Sequence, residues 1–206
     1  MGSQDWHAIA TGDCLPCKTP REWDLLETPY RFHRFLTDVE DVLKPFPTVE
    51  KQLQSLSDLR RLVRKIVLNS YWLRTQKPDF FDTADIAILN LYDEIGYPLT
   101  VQIETMKPGA QSPIHNHGTW GIVAIIEGQK ETTFWRRTPE PDWPNKITPV
   151  ADKILTSGDV ISFLPDAIHH IQVVGEALLV TFNMYGETHS KRRFEFNSIT
   201  HTAKHY

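Results

Sequence analysis

Cysteine is scarce in this chain of 206 residues, which contains only Cys14 and Cys17. A four-cysteine zinc site would need a second C-x-x-C pair, and the sequence has none. A thioredoxin-like redox pair would need a preceding strand and a following helix, and the surrounding proline-containing segment indicates neither. We therefore predict reduced thiols without a catalytic or metal-binding role.

The chain also lacks a strong excess of charge and a long apolar run. Its 22 basic and 26 acidic residues give a net charge of -4, which argues against a nucleic-acid partner. No apolar segment approaches the length of a membrane span, and the N-terminal residues do not resemble a signal peptide. These absences predict a cytoplasmic protein with neither a nucleic-acid nor a membrane partner.

The composition is that of a globular protein, with 40% hydrophobic and 23% charged residues. We predict a single domain over residues 1–206, with an irregular arm and helices in 1–80 and a barrel of strands in 81–206. Residues 1–29 show no sustained periodicity. Apolar spacings of three and four predict helices over residues 30–43 and 48–67, the second with a break near Ser57 and Asp58. Four basic residues off its apolar stripe are predicted to be solvated: Arg60, Arg61, Arg64 and Lys65.

Short β-rich segments bounded by turns follow the helices. We predict strands over residues 86–92, 99–106, 121–127, 131–136, 160–164, 168–174 and 178–185. The proline-rich stretch 138–149 is predicted to be a long surface loop. The spacing of the predicted strands favours an antiparallel sandwich or jelly roll.

Two histidines one residue apart are the most informative feature of the sequence. If residues 114–116 are extended, His115 and His117 point to the same face of a strand and can reach one divalent metal ion. Neutral imidazole suits Zn, Cu, Fe and Ni. The alternative is a solvated turn that carries two surface histidines.

A second pair of histidines supplies a third ligand. Alternation favours His169, because Ile171 and Val173 would then share its inward face while His170 points outward. Further on, Thr181, Asn183 and Tyr185 share one face of a predicted strand. A polar inner face indicates a functional role, and the alternative is a face exposed to solvent.

The stretch from Gly109 to Gly128 resembles the first motif of the cupin superfamily, G-x5-H-x-H-x3-E-x6-G. Every element is present except the glutamate, whose place is taken by Gly121. The segment from Pro165 resembles the second motif, P-x-G-x-x-H, whose spacing favours His170 over His169. With the string His-Gly-Thr-Trp-Gly, the sequence is most similar to the thiol dioxygenase branch, and the local aliphatic pattern of that branch favours His169. We choose His169, with His170 as the alternative.

This resemblance implies a mainly β fold, a cupin double-stranded β-helix, or jelly-roll barrel, with an N-terminal helical segment. It also implies a mononuclear non-haem Fe(II) site held by His115, His117 and His169, where another divalent metal remains an alternative. In that branch the strand of Thr181 and Tyr185 carries Ser-x-His-x-Tyr, a hydrogen-bonding relay. Asn183 replaces its histidine here, and asparagine cannot titrate near neutral pH.

Two departures from the branch concern the substrate. The arginine that binds the substrate carboxylate in animal cysteine dioxygenases aligns with Leu89 or Asn90, and the cysteine that cross-links to the tyrosine aligns near Ile122. The remaining candidates for substrate binding are Arg192, Arg193, and a neutral pocket that involves Tyr185 and Trp120.

The implied activity is oxidation of a small thiol, of the cysteine or 3-mercaptopropionate type, to its sulfinic acid with O2. The resemblance assigns Tyr185, Asn183 and Thr181 to the relay beside the metal. Two alternatives remain: another cupin metalloenzyme, such as a carbon–carbon-cleaving dioxygenase or an isomerase, and a non-enzymatic cupin that binds a small ligand. The sequence does not determine the oligomeric state.

Overall fold

A computed structural model describes residues 3–81, 83–94, 97, 99–188 and 190–206. Within these ranges the α-helices are α1 (Phe32–Leu43), α2 (Val49–Gln52), α3 (Leu56–Asn69) and α4 (Tyr71–Thr75). Short 3-10 helices span Glu22–Asp24, Leu53–Ser55 and Ser190–Arg192. None of the helices in the described ranges combines the length and hydropathy that a membrane crossing requires.

The strands of the described residues form two sheets. The strands are β1 (Asp5–Ala8), β2 (Cys14–Cys17), β3 (Ile86–Asp93), β4 (Leu99–Met106), β5 (Ile114–His115), β6 (Gly121–Glu127), β7 (Gln129–Arg137), β8 (Ile147–Thr156), β9 (Val160–Phe163), β10 (Ile168–Val173), β11 (Leu179–Gly186), β12 (Phe194–Asn197) and β13 (Thr202–His205). Sheet A has the order β2-β1-β9-β6-β11-β4-β3, and sheet B the order β13-β12-β5-β10-β7-β8. The predicted mainly β jelly-roll architecture with an N-terminal helical segment is confirmed.

Sheet A is buried on both faces. Phe35, Leu59 and Ile66 of the helices pack with Phe182 and Met184 on its outer face. Other side chains of sheet A, among them Val123, Ile161 and Phe163, form a second cluster with Phe134 of sheet B. A strand covered on both sides needs apolar residues at consecutive positions, which explains the unbroken apolar run of β6.

The two predicted helices lie where the structure has α1 and the segment from α2 to α3. The second helix is interrupted earlier than predicted. Thr48 caps α2 by accepting a hydrogen bond from the backbone N–H of Lys51. The 3-10 turn Leu53–Ser55 then separates α2 from α3, a few residues before the predicted break. The short helix α4 was not predicted, and the Ser70 hydroxyl caps it by accepting from Leu73 N–H.

The prediction that the basic residues of α3 are solvated is wrong for Arg60 and Arg64. Arg60 and Arg64 are 7% and 3% exposed, and both guanidinium groups lie against the carboxylate of Asp5 in β1. Arg64 forms an ion pair with Asp5 and donates to Gly158 O at 2.8 Å. Arg60 lies 3.9 Å from Asp5 and donates to Ser162 Oγ at 2.6 Å. These contacts attach α3 to β1, to β9 and to the turn that precedes β9.

Two segments predicted to be irregular contain strands. The predicted arm over residues 1–29 forms β1 and β2, and β1 pairs in parallel with β9 at the edge of the barrel. The predicted loop over residues 138–149 ends earlier, because β8 begins at Ile147 and pairs with β7. Strand β1 pairs with a strand distant in the sequence, and the register between β7 and β8 shifts at Phe134 and Trp135, so β1 and β8 lack a simple local signature. Cys14 and Cys17 are free thiols, and burial raises the pKa of Cys14 to about 11.

Candidate metal centre

The strand pairing brings three of the predicted histidines together. His115 ends β5 and lies opposite His169 of β10 in the antiparallel register. His117 follows two residues later, in the connection to β6, and its Nε2 lies 3.3 Å from His169 Nε2. One nitrogen from each ring lies within 4.8 Å of the others. Three nitrogens at this separation could hold one metal ion.

His170 lies outside this cluster. It pairs with Thr133 of β7 in the register of sheet B, is partly exposed, and occupies the face of β10 opposite to His169. The alternation of β10 therefore places His169 inside the barrel with Ile171, which also lines the cavity. The three-histidine group found among the described residues contains His169 and not His170.

Burial disfavours the charged form of all three imidazoles, and a metal ion binds the neutral form. Burial, together with the neighbouring histidines, holds the pKa of His117 and of His169 well below the usual value. Burial also lowers the pKa of His115. His115 Nδ1 lies 2.9 Å from Pro113 O, and a carbonyl can only accept, so Nδ1 carries the proton and Nε2 keeps its lone pair. The protein thus sets the tautomer of His115 before any ligand binds.

The histidines form part of the wall of a cavity of about 450 Å³ between the two sheets. Apolar side chains such as Val123, Phe163 and Leu179 line one part of it. The Phe163 ring stacks on His169 with centroids 4.4 Å apart, which fixes the imidazole plane. A volume of this size suits a small organic molecule.

Strand β11 contributes three polar residues to this cavity: Thr181, Asn183 and Tyr185. Asn183 Nδ2 donates to the carboxylate of Glu104 at 3.4 Å. Burial raises the pKa of Glu104, which faces the cavity from β4. A buried carboxyl group therefore lies beside Asn183 on the cavity wall.

The Tyr185 ring packs directly on Gly121. Gly121 and Tyr185 are cross-strand partners, and a Cβ atom on Gly121 would lie 2.9 Å from the Tyr185 ring. The same ring packs against His117 with centroids 4.7 Å apart. The absence of a side chain at Gly121 therefore leaves room for the tyrosine ring beside the histidines.

Only some of the predicted substrate-binding residues line the cavity. Arg193 lines the cavity, where its guanidinium lies 4.2 Å from the ring centre of Tyr206. Arg192 is directed outward and pairs with Glu50. Trp120 does not line the cavity formed by the described residues, because it is buried on the helical side of sheet A, where Nε1 donates to Gln52 Oε1 at 2.7 Å.

The sequence analysis did not predict four of the titratable residues that line the cavity: Glu104, Lys130, Glu195 and Tyr206. A signal for Glu104 existed, since Thr100, Gln102 and Glu104 alternate with buried apolar residues along the predicted strand. Lys130 lay just outside the predicted bounds of its strand. Tyr206 reaches the site only through the tertiary fold, where its hydroxyl donates to Asn116 O at 3.1 Å.

No protein-family model matches the sequence, and no curated protein matches it either. Among solved structures, the chain is similar to the cupin domain of Schizosaccharomyces pombe Cnp3, with a TM-score of 0.41 and 13% identity over 57% of this chain and 73% of that one. A cupin-superfamily sugar phosphate isomerase from Silicibacter pomeroyi gives 0.39 and 19% identity over 50% and 60%. A recombinant oxalate oxidase in complex with glycolate gives 0.40 and 13% identity over 54% and 56%. Because these TM-scores and sequence identities are low, the assignment of a function depends on the geometry of the site.

Proposed function

We propose that the protein is a mononuclear non-haem Fe(II) dioxygenase that adds both atoms of O2 to the sulfur of a small thiol and forms a sulfinic acid. The observation that carries this proposal is the cluster of three neutral imidazoles, which includes no carboxylate or thiolate among the described residues. Held by His115, His117 and His169, the iron would supply open positions for a thiolate and for O2. Neutral ligands leave the positive charge of the ion uncompensated, which favours an anionic thiolate.

The residues around the cluster have roles that fit this chemistry. Burial and the nearby Glu104 raise the pKa of Tyr185, so its hydroxyl stays protonated at neutral pH. Among the described residues this hydroxyl has no hydrogen-bond partner, so it can donate to a bound molecule. Pro113 orients His115, and Phe163 orients His169 while it excludes water from that side.

The proposal predicts thiol-dependent uptake of O2 by the Fe(II)-loaded protein. Cysteine, 3-mercaptopropionate and cysteamine would be compared in an oxygen electrode, with the sulfinic acid identified by mass spectrometry. With ¹⁸O2, both new oxygen atoms of the product should carry the label. The nitric oxide adduct of the iron should also change its electron paramagnetic resonance spectrum when a thiol is added.

Other outcomes would assign a different chemistry to the same site. Absence of thiol-dependent uptake with every thiol would refute the proposal. Turnover of a diketone or a sugar phosphate by the same preparation would favour another cupin metalloenzyme. A metal-free protein that binds a small ligand with unchanged affinity would favour a non-enzymatic role.

The packing of Tyr185 on Gly121 predicts a position-specific loss of activity in Gly121→Ala. The added methyl group would displace the tyrosine ring, and a displacement of about 1 Å can reduce the rate up to about 100-fold. Metal content should stay unchanged, since no ligand is altered. The matched control is Ala124→Gly, on the opposite face of β6, which should keep the wild-type kcat. Equal kcat values in Gly121→Ala and wild type would show that the tyrosine position is unimportant.

A further inference from the structure

The residue between the two histidines of the H-x-H segment does not face the cavity. Asn116 is 3% exposed, and it is absent from the cavity wall that the described residues form. Strand β5 ends at His115, so His117 lies beyond the ladder that pairs β5 with β10 and β12. The position of His117 therefore depends on whatever holds the short connection that follows β5.

Asn116 holds this connection with every one of its polar atoms. Its backbone N–H donates to Phe194 O at 3.1 Å, and its Oδ1 accepts from the Phe194 N–H at 2.8 Å. Its Nδ2 donates to Arg192 O at 3.0 Å and to Pro165 O at 3.1 Å. The Tyr206 hydroxyl donates to its backbone carbonyl. A side chain at this position must supply two donors and one acceptor, which an asparagine does and an aspartate does not.

Pro165 connects this arrangement to the third histidine, because it directly precedes the turn into β10, the strand of His169. The Pro165 carbonyl accepts from Asn116 Nδ2 and also from the Gly118 N–H at 3.1 Å. It is thus bound on both sides of His117. These two hydrogen bonds hold the His117 backbone against the segment that leads to His169, and the Nε2 atoms of the two histidines lie 3.3 Å apart.

We propose that Asn116 is a positioning residue of the metal centre, whose side-chain amide sets the place of His117 relative to His169 and thereby the geometry offered to the ion. It acts through the backbone of its neighbours and has no contact with a molecule in the cavity. The proposal rests on the metal site of the proposed function and not on the reaction carried out there. Loss of an outer partner of a metal ligand costs about 10- to 100-fold in affinity or activity.

The test removes the two amide donors while it keeps the shape of the side chain. Asn116→Asp retains an acceptor for the Phe194 N–H, but it turns an oxygen toward the carbonyl oxygens of Arg192 and Pro165. Co(II) alone is titrated into the metal-free full chain. We expect the Kd of Co(II) to rise about 10- to 100-fold in Asn116→Asp. The visible absorption bands of the bound ion should also shift, because they depend on the arrangement of its ligands.

Asn69 provides the matched control, because its side chain makes the same kinds of hydrogen bond at the end of α3. Its Nδ2 donates to Leu25 O at 2.9 Å and to Lys65 O at 2.8 Å, and its Oδ1 accepts from the Glu27 N–H at 2.9 Å. Asn69→Asp should lower the midpoint of urea unfolding as Asn116→Asp does. Its Co(II) affinity and absorption spectrum should stay those of the wild type, which separates a positioning role from a structural one.

Two results would overturn the proposal: wild-type Co(II) affinity and spectrum in Asn116→Asp, and equal changes in Asn69→Asp. Circular dichroism identifies a variant that fails to fold. In that case Tyr206→Phe, which removes one hydrogen bond to the Asn116 carbonyl, replaces Asn116→Asp. Its Kd for Co(II) should rise about 2- to 10-fold, the equivalent of one hydrogen bond, and an unchanged Kd would overturn the proposal.

Failure of the proposed function gives a different set of results. Co(II) binding requires neither iron, a thiol nor O2. A wild type that binds Co(II) without thiol-dependent uptake of O2 would remove the proposed reaction and leave the role of Asn116. Thiol oxidation by the wild type, together with wild-type Co(II) binding in Asn116→Asp, would do the reverse. A wild type that binds no Co(II) would remove both.

Discussion

Replacing His117 or His169 by alanine is expected to reduce bound iron from about one per chain to a small fraction and to abolish oxygen uptake. Each imidazole supplies one of three nitrogens that lie within 4.8 Å of one another, and two ligands cannot hold the ion in the same geometry. Removal of an outer partner of a metal ligand already costs about 10- to 100-fold in affinity or activity. Loss of a direct ligand should exceed that range.

His170→Ala provides the matched control, since it removes the adjacent histidine of the same strand from its opposite face. We expect it to retain iron and activity close to those of the wild type. Metal content by plasma mass spectrometry, measured on protein reconstituted with Fe(II) without oxygen, checks both predictions. Loss of iron in His170→Ala with retention in His169→Ala would move the third ligand to His170.

Asp5→Ala is expected to lower the free energy of unfolding by about 3–5 kcal/mol, the range measured when one partner of a buried ion pair is removed. Arg60 and Arg64 would stay buried beside β1 without their carboxylate. Exposed ion pairs contribute much less, because water and salt screen them. Urea unfolding followed by fluorescence gives the midpoint and slope from which the change is calculated.

The control for this prediction is Glu127→Gln, which removes one partner of the exposed pair between Lys77 and Glu127. It should change stability by about 0–1 kcal/mol. A similarly small change in Asp5→Ala would mean that water reaches the two arginines in the variant. The double variant Asp5→Ala, Arg64→Met should recover part of the loss, since it removes one uncompensated charge.

Sequence patterns with a local cause were predictive. The H-x-H spacing, the alternation around His169 and the polar positions of β11 each depend on strand geometry over a few residues. They predicted which side chains face the cavity, and the structure brings these residues together around it. The same local geometry predicted most strands of the barrel within one or two residues.

Features that depend on distant partners were missed or predicted wrongly. Arg60 and Arg64 lie off the apolar stripe of α3 and look solvated until Asp5 is placed against them by the pairing of β1 with β9. Tyr206 reaches the site because it follows β13, a strand that no local pattern indicated. Lys130 was overlooked because a buried lysine at the start of a strand has no local signature distinguishing it from an exposed one.

The pairing of β1 with β9 also sets an order of events for the nascent chain. Gln4 N–H donates to Asp159 across 155 positions, so β1 cannot take its place until the ribosome has made β9. Such non-local contacts slow folding, although the entropy of closing the loop rises only slowly with its length. Until that moment Asp5 remains in water, and the two arginines of α3 have no carboxylate from β1. The helical layer is therefore attached to the barrel through β1 only after most of the barrel has been synthesised.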